Sequence, residues 1–220
     1  MTARTLTKAP PAPRLYVLAG VNGAGKSSIG GAAIRAYGAE YFNPDEAARA
    51  LRARQPGLDA FHANALAWLQ GKRLLEKAIA TRLDFAFETT LGGSTIPKLL
   101  LQAAANGFEV RIWYVGLATP ELHIERVRTR VLADGHDISE ADIRRRWQHS
   151  RMNLIALLPH IAKLRVYDNS AHANPLEGVA PKPTLVLHFS KDKVLGPDNL
   201  AKTPVWAKPI VAAALKRVTE

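Results

Sequence analysis

The chain alternates between short apolar runs and longer stretches in which apolar residues recur at helical spacing. The short runs are rich in β-branched and aromatic residues and end at glycine or polar residues, which is typical of buried strands. Apolar residues three or four apart between these runs predict amphipathic helices. The strands are predicted at 14–20, 40–43, 84–90, 108–117 and 164–170, and the helices at 27–38, 43–54, 58–82, 95–105, 119–135 and 139–159.

Because strands and helices alternate, we expect an α/β fold: a three-layer α/β/α sandwich with a mainly parallel, roughly five-stranded sheet. Beyond residue 171 the pattern changes, since six of the 14 prolines lie there. This stretch predicts one hairpin (184–195) and a terminal helix (205–217). We expect 171–220 to be a C-terminal extension packed on the same domain.

The composition excludes several classes of protein. The 220 residues are 47% hydrophobic and include no cysteine, so neither disulfides nor thiolate metal sites are available. Residues 1–13 are basic and proline-rich and predict a flexible N-terminal arm. No apolar run approaches the length of a membrane span, so we expect no membrane partner and a cytoplasmic protein.

The charge is strongly positive, with a formal net charge of +11. Such a surface attracts nucleic acid, anionic lipid or phosphorylated small molecules, or it serves solubility alone. Seven arginines fall between positions 126 and 151, which predicts a local basic wall. That wall fits either a phosphate-binding surface or a solvated helix face.

The stretch GVNGAGKS, residues 20–27, fits the phosphate-binding loop pattern G-x-x-x-x-G-K-[ST] and lies between a predicted strand and a predicted helix. Its glycines let successive backbone N–H groups turn toward phosphate oxygens, and the helix start adds a positive dipole end. Lys26 can reach the β- and γ-phosphates, and the Ser27 hydroxyl can ligate Mg²⁺. ATP and Mg²⁺ are therefore the expected cofactors. The expected ATP contacts in this loop are Asn22, Gly23, Ala24, Gly25, Lys26, Ser27 and Ser28.

Three further stretches lie where a ligand of this loop would bind. Asp45 follows the second strand and could take a proton from an acceptor hydroxyl, or only complement the start of its helix. Glu88, Thr89 and Thr90 end the third strand and offer a carboxylate and two hydroxyls, or form an ordinary solvated strand end. The arginine-bearing helices at about 126–151 could close as a lid that stabilises a transferring phosphoryl group.

Taken together and in order, these motifs resemble the zeta toxins over about residues 15–170. The shared stretches are GVNGAGKSS, FNPDEAA, FETTLGG, YVGLATPELHIERVRTRV, GHDISEADIRRRW and YDNS. The resemblance implies a P-loop kinase-like domain over 14–170. It also implies an ATP-dependent kinase that phosphorylates a hydroxyl of a nucleotide-activated sugar, typically UDP-N-acetylglucosamine, and that an antitoxin protein normally blocks.

The resemblance also implies roles for individual residues. Asp45 would be the base, and residues 168–170 would lie near the nucleotide base. Arg130 and Arg146 are favoured as the γ-phosphate clamp, with Arg126 and Arg144 as alternatives. The implied set is Asp45, Lys26, Arg130 and Arg146 for catalysis, Arg126 and Arg144 as further ATP contacts, Ser27 for Mg²⁺, and Asp45, Glu88, Thr89 and Thr90 for the acceptor.

The sequence departs from the family pattern in ways that leave the acceptor open. Asp134 stands where the family often has glycine, and Trp147 stands where tyrosine is common. Two other functions fit the residues: a kinase of another nucleotide-like metabolite without a toxin role, and an ATP-dependent protein that binds nucleic acid or a protein. Nucleic acid is the less favoured partner, because the sequence holds no recognisable nucleic-acid module and no interleaved aromatic platform.

Overall fold

The computed structural model describes residues 11–27, 29, 40–132, 137–171 and 182–219. Within them the strands are β1 (Arg14–Ala19), β2 (Glu40–Phe42), β3 (Phe85–Thr89), β4 (Glu109–Gly116), β5 (Lys163–Asp168), β6 (Thr184–Ser190) and β7 (Lys193–Gly196). The helices are α1 (Pro44–Arg54), α2 (Ala60–Thr81), α3 (Thr95–Ala105), α4 (Pro120–Val131), α5 (Glu140–Leu157) and α6 (Lys208–Thr219). Short 3₁₀ segments span Leu158–His160, Leu200–Lys202 and Val205–Ala207.

The strands form one sheet in the order β2-β3-β1-β4-β5-β6-β7. Strands β1 to β5 are mutually parallel, which confirms the α/β prediction, whereas β6 and β7 run antiparallel. The predicted count of roughly five strands is too low. The hairpin of β6 and β7 adds to the free edge of β5, and local sequence does not reveal which edge a hairpin will extend.

The core lies between the sheet and four helices. Side chains such as Leu15, Ile112 and Leu164 are fully buried in one continuous cluster with residues of α2, α3, α5 and α6. The opposite face of the sheet carries a smaller buried cluster that includes Tyr16 and Leu18. Burial of such apolar surface is the main force that assembles these layers.

Polar side chains cap the starts of three helices. Asn43 caps α1 and accepts hydrogen bonds from the backbone N–H of Asp45 (2.9 Å) and Glu46 (3.3 Å). Thr119 and Ser139 cap helices α4 and α5 in the same way. The predicted helix at 27–38, the end of the predicted helix at 119–135 and most of the predicted arm fall outside the described residues.

The sheet brings the polar segments to one edge, because the parallel strands β1, β3, β4 and β5 all end there. The segment after β6 and β7 reaches the same edge through Trp206. Its indole packs so closely on Gly116 that a Cβ there would lie 2.3 Å from the ring. Its Nε1–H donates to Asp168 at 3.1 Å. None of the helices in the described part is long and apolar enough to span a bilayer.

Candidate phosphate-binding and acceptor site

The loop after β1 has the backbone shape that its glycines predict. Gly20, Gly23 and Gly25 adopt φ values of +144°, +80° and +82°, which favour glycine. At Gly20 a Cβ would also lie 2.2 Å from the carbonyl oxygen of Val115. The loop is therefore pressed against the end of β4, and a larger residue at Gly20 would displace it.

Three side chains from other elements hold this loop from outside. His123 of α4 donates from Nδ1 to the backbone carbonyl of Asn22 at 2.8 Å. Asn169, just after β5, donates from Nδ2 to the carbonyl of Ala24 at 2.9 Å. Arg146 of α5 donates to the side-chain oxygen of Asn22 at 2.9 Å. These bonds occupy oxygens that would otherwise repel a phosphate.

His123 is almost fully buried, with 1% of its surface exposed. Burial lowers its pKa to about 4, and the hydrogen bond with Asn22 only partly opposes that effect. The ring is therefore neutral at pH 7, with its proton on the Nδ1 that donates. Its Nε2 is buried and has no hydrogen-bond partner. A protonated imidazole would be costly here, because Lys26 and Arg126 lie near it.

Lys26 ends the loop and points into a cavity. Burial lowers the pKa of Lys26, the carboxylates of Glu88 and Asp45 oppose that change, and Arg130 and Arg146 add to it. A cation in such a desolvated place interacts more strongly with an anion than it would in water. This is the environment that a phosphate-binding lysine needs.

The two candidate carboxylates are joined by Asn43. The Asn43 side chain caps α1 beneath Asp45 with its oxygen and donates from Nδ2 to Glu88 at 3.3 Å. Glu88 is buried and also accepts a hydrogen bond from the Tyr41 hydroxyl. The Asp45 side chain is 52% exposed and lies 3.5 Å from Arg130. Asp45 can therefore meet a ligand, whereas Glu88 is fixed in place.

The turn after β3 is held by α5. Ser150 donates to the carbonyl of Thr90 at 2.6 Å and accepts from the buried Tyr114 hydroxyl at 3.1 Å. Gly92 leaves space for Arg146, because a Cβ there would lie 2.7 Å from the Cγ of that arginine. The turn therefore packs directly against α5, and the Arg146 side chain passes over Gly92 to reach Asn22.

These elements enclose a cavity of about 340 Å³, a size typical of small-molecule sites. Of the residues expected from the sequence, seven line it: Asn22, Lys26, Asp45, Glu88, Thr89, Thr90 and Arg146. Further lining comes from one face of α2, with Asn64, Trp68 and Lys72, and from Arg145. The cavity therefore joins the phosphate loop to the polar ends of β2 and β3.

Other expected contacts lie outside this lining. Gly23, Ala24, Gly25 and Ser27 form the loop itself, and Ser28 lies outside the described residues. Arg126 donates to the carbonyl of Ala171 at 2.9 Å, close to the end of β5. Arg144 pairs with Glu121 on the exposed side of the lid. The structure thus separates these two arginines from Arg130 and Arg146, which approach Asp45 and Asn22.

The donor set suits Mg²⁺ only if the nucleotide supplies most ligands. In the described part of the chain, no three His, Asp or Glu side chains gather to hold a metal. Mg²⁺ usually keeps several waters and binds one or two protein groups together with substrate phosphates. The exposed Ser27 hydroxyl beside Lys26 fits that pattern.

Three residues support the site in ways that were not predicted from the sequence. His123 looks like an ordinary member of the lid helix, although it shares the buried helical face of Val127, four residues on. Asn169 was expected near the nucleotide base, not behind the loop. Trp206 lies 38 residues from its partner Asp168. Buried periodicity could have indicated His123, but no local signal indicates the other two contacts.

Comparison with known proteins gives one family. The model of the family described as "Zeta toxin" matches residues 1–174. An uncharacterized protein from Haemophilus influenzae is 29% identical over 132 residues, which cover 58% of this chain and 88% of that protein.

Solved structures share the fold at low sequence identity. A chain of the AvrRxo1-ORF1:-ORF2 complex with ATP superposes with a TM-score of 0.64 and 12% identity, over 92% of this chain and 63% of that one. The present chain therefore spans less than two thirds of that neighbour. A chain of the PezAT chromosomal toxin-antitoxin system of Streptococcus pneumoniae gives a TM-score of 0.55 and 17% identity, over 97% of this chain and 89% of that one.

Proposed function

This chain is a member of the zeta toxin family, and from that premise and the cavity geometry we propose that it is an ATP-dependent kinase of a nucleotide-activated sugar. One observation carries the proposal. The phosphate-loop Lys26, the accessible carboxylate of Asp45 and the fixed carboxylate of Glu88 line the same cavity. A cation for phosphate and a base for a hydroxyl are the two groups that phosphoryl transfer to an alcohol requires.

In this proposal Asp45 accepts the proton of the acceptor hydroxyl while the hydroxyl oxygen attacks the γ-phosphorus. A new phosphorus–oxygen bond forms, the bond to the β-phosphate oxygen breaks, and ADP leaves. Lys26, Arg146 and Arg130 stabilise the negative charge on the phosphate oxygens. Mg²⁺ held by the phosphates and the Ser27 hydroxyl would neutralise further charge when it is bound.

Arg130 has a second part in this scheme. It lies 3.5 Å from the Asp45 carboxylate in the free protein. The γ-phosphate of bound ATP would compete with Asp45 for this guanidinium. Asp45 would then be free to turn toward the acceptor hydroxyl.

For the acceptor we favour UDP-N-acetylglucosamine, which the family resemblance suggests. Glu88, Thr89 and Thr90 would contact its sugar, since they line the cavity next to Asp45. Residues 14–170 would form the kinase domain with its lid at about 126–151, and 171–220 an extension on the same domain. A protein antitoxin is the proposed partner, and the cytoplasm the proposed site of action.

The test is incubation of the purified protein with Mg-ATP and UDP-N-acetylglucosamine, followed by mass spectrometry. We expect a sugar nucleotide heavier by one phosphoryl group, and ADP in equal amount. Asp45→Asn should give neither product. ADP release without any phosphorylated acceptor, across UDP-sugars and other nucleotide-like metabolites, would contradict the proposal. Transfer to a different metabolite would keep the kinase and replace the acceptor.

A further inference from the structure

The C-terminal segment, residues 197–219, reaches the end of the sheet where the phosphate loop lies. The family model matches residues 1–174, so this segment lies beyond the match. Its Trp206 is buried, with 4% of its surface exposed, and contacts the ends of β4 and β5. The cavity lining includes no residue of the segment. Any effect of Trp206 on the site must therefore pass through other residues.

Trp206 joins the last residues of two paired strands. Gly116 of β4 and Asp168 of β5 are partners in the sheet. The indole covers Gly116, and its Nε1–H donates to the Asp168 carboxylate at 3.1 Å. Asp168 also accepts hydrogen bonds from the backbone N–H of Ser170, at 3.3 Å, and from its hydroxyl. Hydrogen bonds to a charged group are stronger than neutral ones, so these three donors fix the turn that follows β5.

Asn169 lies within this turn and connects it to the phosphate loop. Its backbone N–H donates to the carbonyl of Gly116 at 3.0 Å, and its Nδ2 donates to the carbonyl of Ala24 at 2.9 Å. A Cβ at Gly25 would lie 2.7 Å from the same Nδ2, so the loop and the amide are packed without spare room. A chain of direct contacts thus leads from Trp206 to the loop.

The bonds that Asn169 makes do not by themselves hold its side chain. The residue is fully buried, and its Oδ1 has no hydrogen-bond partner among the described residues. A buried acceptor without a partner costs free energy, so a rotation that brought Oδ1 to a donor would be favourable. That rotation would break the bond to Ala24. The side chain therefore depends on the backbone position that Asp168 and Gly116 impose.

A second connection runs from the C-terminal segment to α5. Arg151 donates to the backbone carbonyl of Trp206 at 3.2 Å, and its guanidinium lies 3.5 Å from the centroid of the Trp147 ring. Trp147 directly follows Arg146, which donates to the side chain of Asn22. The segment therefore also contacts the helix that holds the other end of the loop.

We propose that Trp206 is a positioning residue for the triphosphate of ATP and acts through Asp168 and Asn169. In a planar trans peptide the C=O and N–H groups point in opposite directions. When Asn169 holds the carbonyl of Ala24, the N–H of Gly25 is therefore aimed away from Asn169, where it can donate to a phosphate oxygen. The inference rests on the ATP site of the proposed function, but neither on its acceptor nor on its base.

The test is the affinity for Mg-ATP and for Mg-tripolyphosphate, which has neither base nor ribose, measured by calorimetry. Trp206→Phe keeps an aromatic ring over Gly116 and removes the Nε1–H. We expect it to weaken the binding of both anions by about fivefold to tenfold, because the turn loses one hydrogen bond to a charged group. The KM for ATP should rise by the same factor, while kcat stays within about twofold, because Trp206 does not touch the reacting atoms.

Two further variants separate positioning from a loss of stability. Ile210→Val removes one buried methyl group from α6 of the same segment, so it should lower the melting temperature and leave both affinities unchanged. Asn169→Ala removes the bond to Ala24 directly and should weaken both anions at least as much as Trp206→Phe does. In the Asn169→Ala background, Trp206→Phe should have little further effect, because the two residues act in one chain of contacts.

Three results would overturn the proposal. The first is weaker binding of ATP but not of tripolyphosphate, which would place the effect of Trp206 on the base or the ribose. The second is full additivity of Trp206→Phe and Asn169→Ala. The third is an equal loss of affinity in Ile210→Val, which would assign the effect to stability. A wild-type protein that binds ATP but phosphorylates no acceptor would contradict the proposed kinase alone, since both affinities still test Trp206.

Discussion

The two basic regions of this protein differ in how their charges are balanced. In the lid, Arg128 pairs with Glu140, Arg144 with Glu121 and Arg145 with Asp142. On the face of the sheet opposite the helical core, Lys163 and Arg165 of β5 have no acidic partner within the described residues. The lid is rich in arginine along the sequence, yet much of that charge is neutralised locally. The basic residues of this sheet face are dispersed along the sequence, yet Lys163 and Arg165 are not neutralised by acidic neighbours.

This difference shows that the density of basic residues along the chain is a weak guide to the electrostatic potential of the folded surface. The seven arginines between 126 and 151 indicate a basic wall when read as a sequence. In the fold, Arg146 contacts Asn22 and Arg130 contacts Asp45, whereas Arg128, Arg144 and Arg145 pair with carboxylates of the same two helices. Only part of the predicted basic wall therefore faces the candidate site.

Substitution of Asp45, the proposed base, should have the largest effect on phosphoryl transfer. Asp45→Asn is expected to lower phosphoryl transfer by about 10²- to 10⁴-fold, because the amide cannot accept the hydroxyl proton. ATP affinity should stay within twofold of the wild type. Product formation by mass spectrometry, with ATP titration by calorimetry, makes the comparison. A variant that still transfers phosphate at the wild-type rate would remove Asp45 from its proposed role.

Substitution of the arginines in α5 should have the next largest effect on kcat. Arg146→Ala is expected to lower kcat by about 10²-fold, since it removes a charged donor from the cavity. Arg146→Lys should recover only part of the loss, because lysine lacks the planar fork of arginine. Arg144→Ala is the matched comparison, and we expect less than a threefold change. Equal losses for Arg144→Ala and Arg146→Ala would mean that the lid rearranges when the ligand binds.

His123 offers a test through pH. Burial lowers the pKa of His123 in the folded protein to about 4. As the pH falls below 6.5, this histidine becomes protonated in the unfolded chain but stays neutral in the folded protein, so protons favour unfolding. Stability should therefore fall by about 1.6 kcal/mol between pH 6.5 and pH 5 from this residue alone. Urea unfolding at several pH values should show a flatter profile for His123→Asn, which keeps a donor for Asn22.

The control for this experiment is His149→Asn, which changes an exposed histidine on α5. We expect its profile to follow that of the wild type. His123→Asn should also raise the KM for ATP more than it lowers kcat, because the residue supports the loop and does not touch the reacting atoms. A profile of His123→Asn as steep as that of the wild type would contradict the buried, neutral state of this ring.

The surface pairs of the lid should have the smallest effect. A double-mutant cycle on Arg128→Ala and Glu140→Ala is expected to give a coupling free energy of at most about 0.5 kcal/mol, since both side chains are exposed. Thermal unfolding of the four proteins supplies the values. A coupling several times larger would show that the pair holds the lid in place, and that its charges do more than balance one another.

Much of the fold could be predicted from the sequence because its signals are local. Apolar runs ending at polar residues predicted β1 to β5, and the helical spacing of apolar residues predicted α1 to α5. The phosphate loop was predicted from the spacing of Gly20, Gly25 and Lys26. These features depend on a few consecutive residues, so no tertiary information is needed to find them.

The rest depends on contacts between distant residues. His123 and Asn169 reach the loop from 101 and 145 residues away. The neighbourhood of Arg111 and Lys163 depends on the register between β4 and β5. Spacing along the chain does not record such distances, and the prediction of a strand does not include its partner. The same reason explains the two strands missing from the predicted sheet.

The central claim is that the loop around Lys26 delivers the γ-phosphate of ATP to an alcohol. The most direct measurement is incubation of the protein with a bacterial metabolite pool and ATP labelled at the γ-phosphate, followed by mass spectrometry. We predict one labelled small molecule with the wild type, and no labelled molecule with Lys26→Ala or Asp45→Asn. Label that appears only in inorganic phosphate, or that appears equally with all three proteins, would contradict the account.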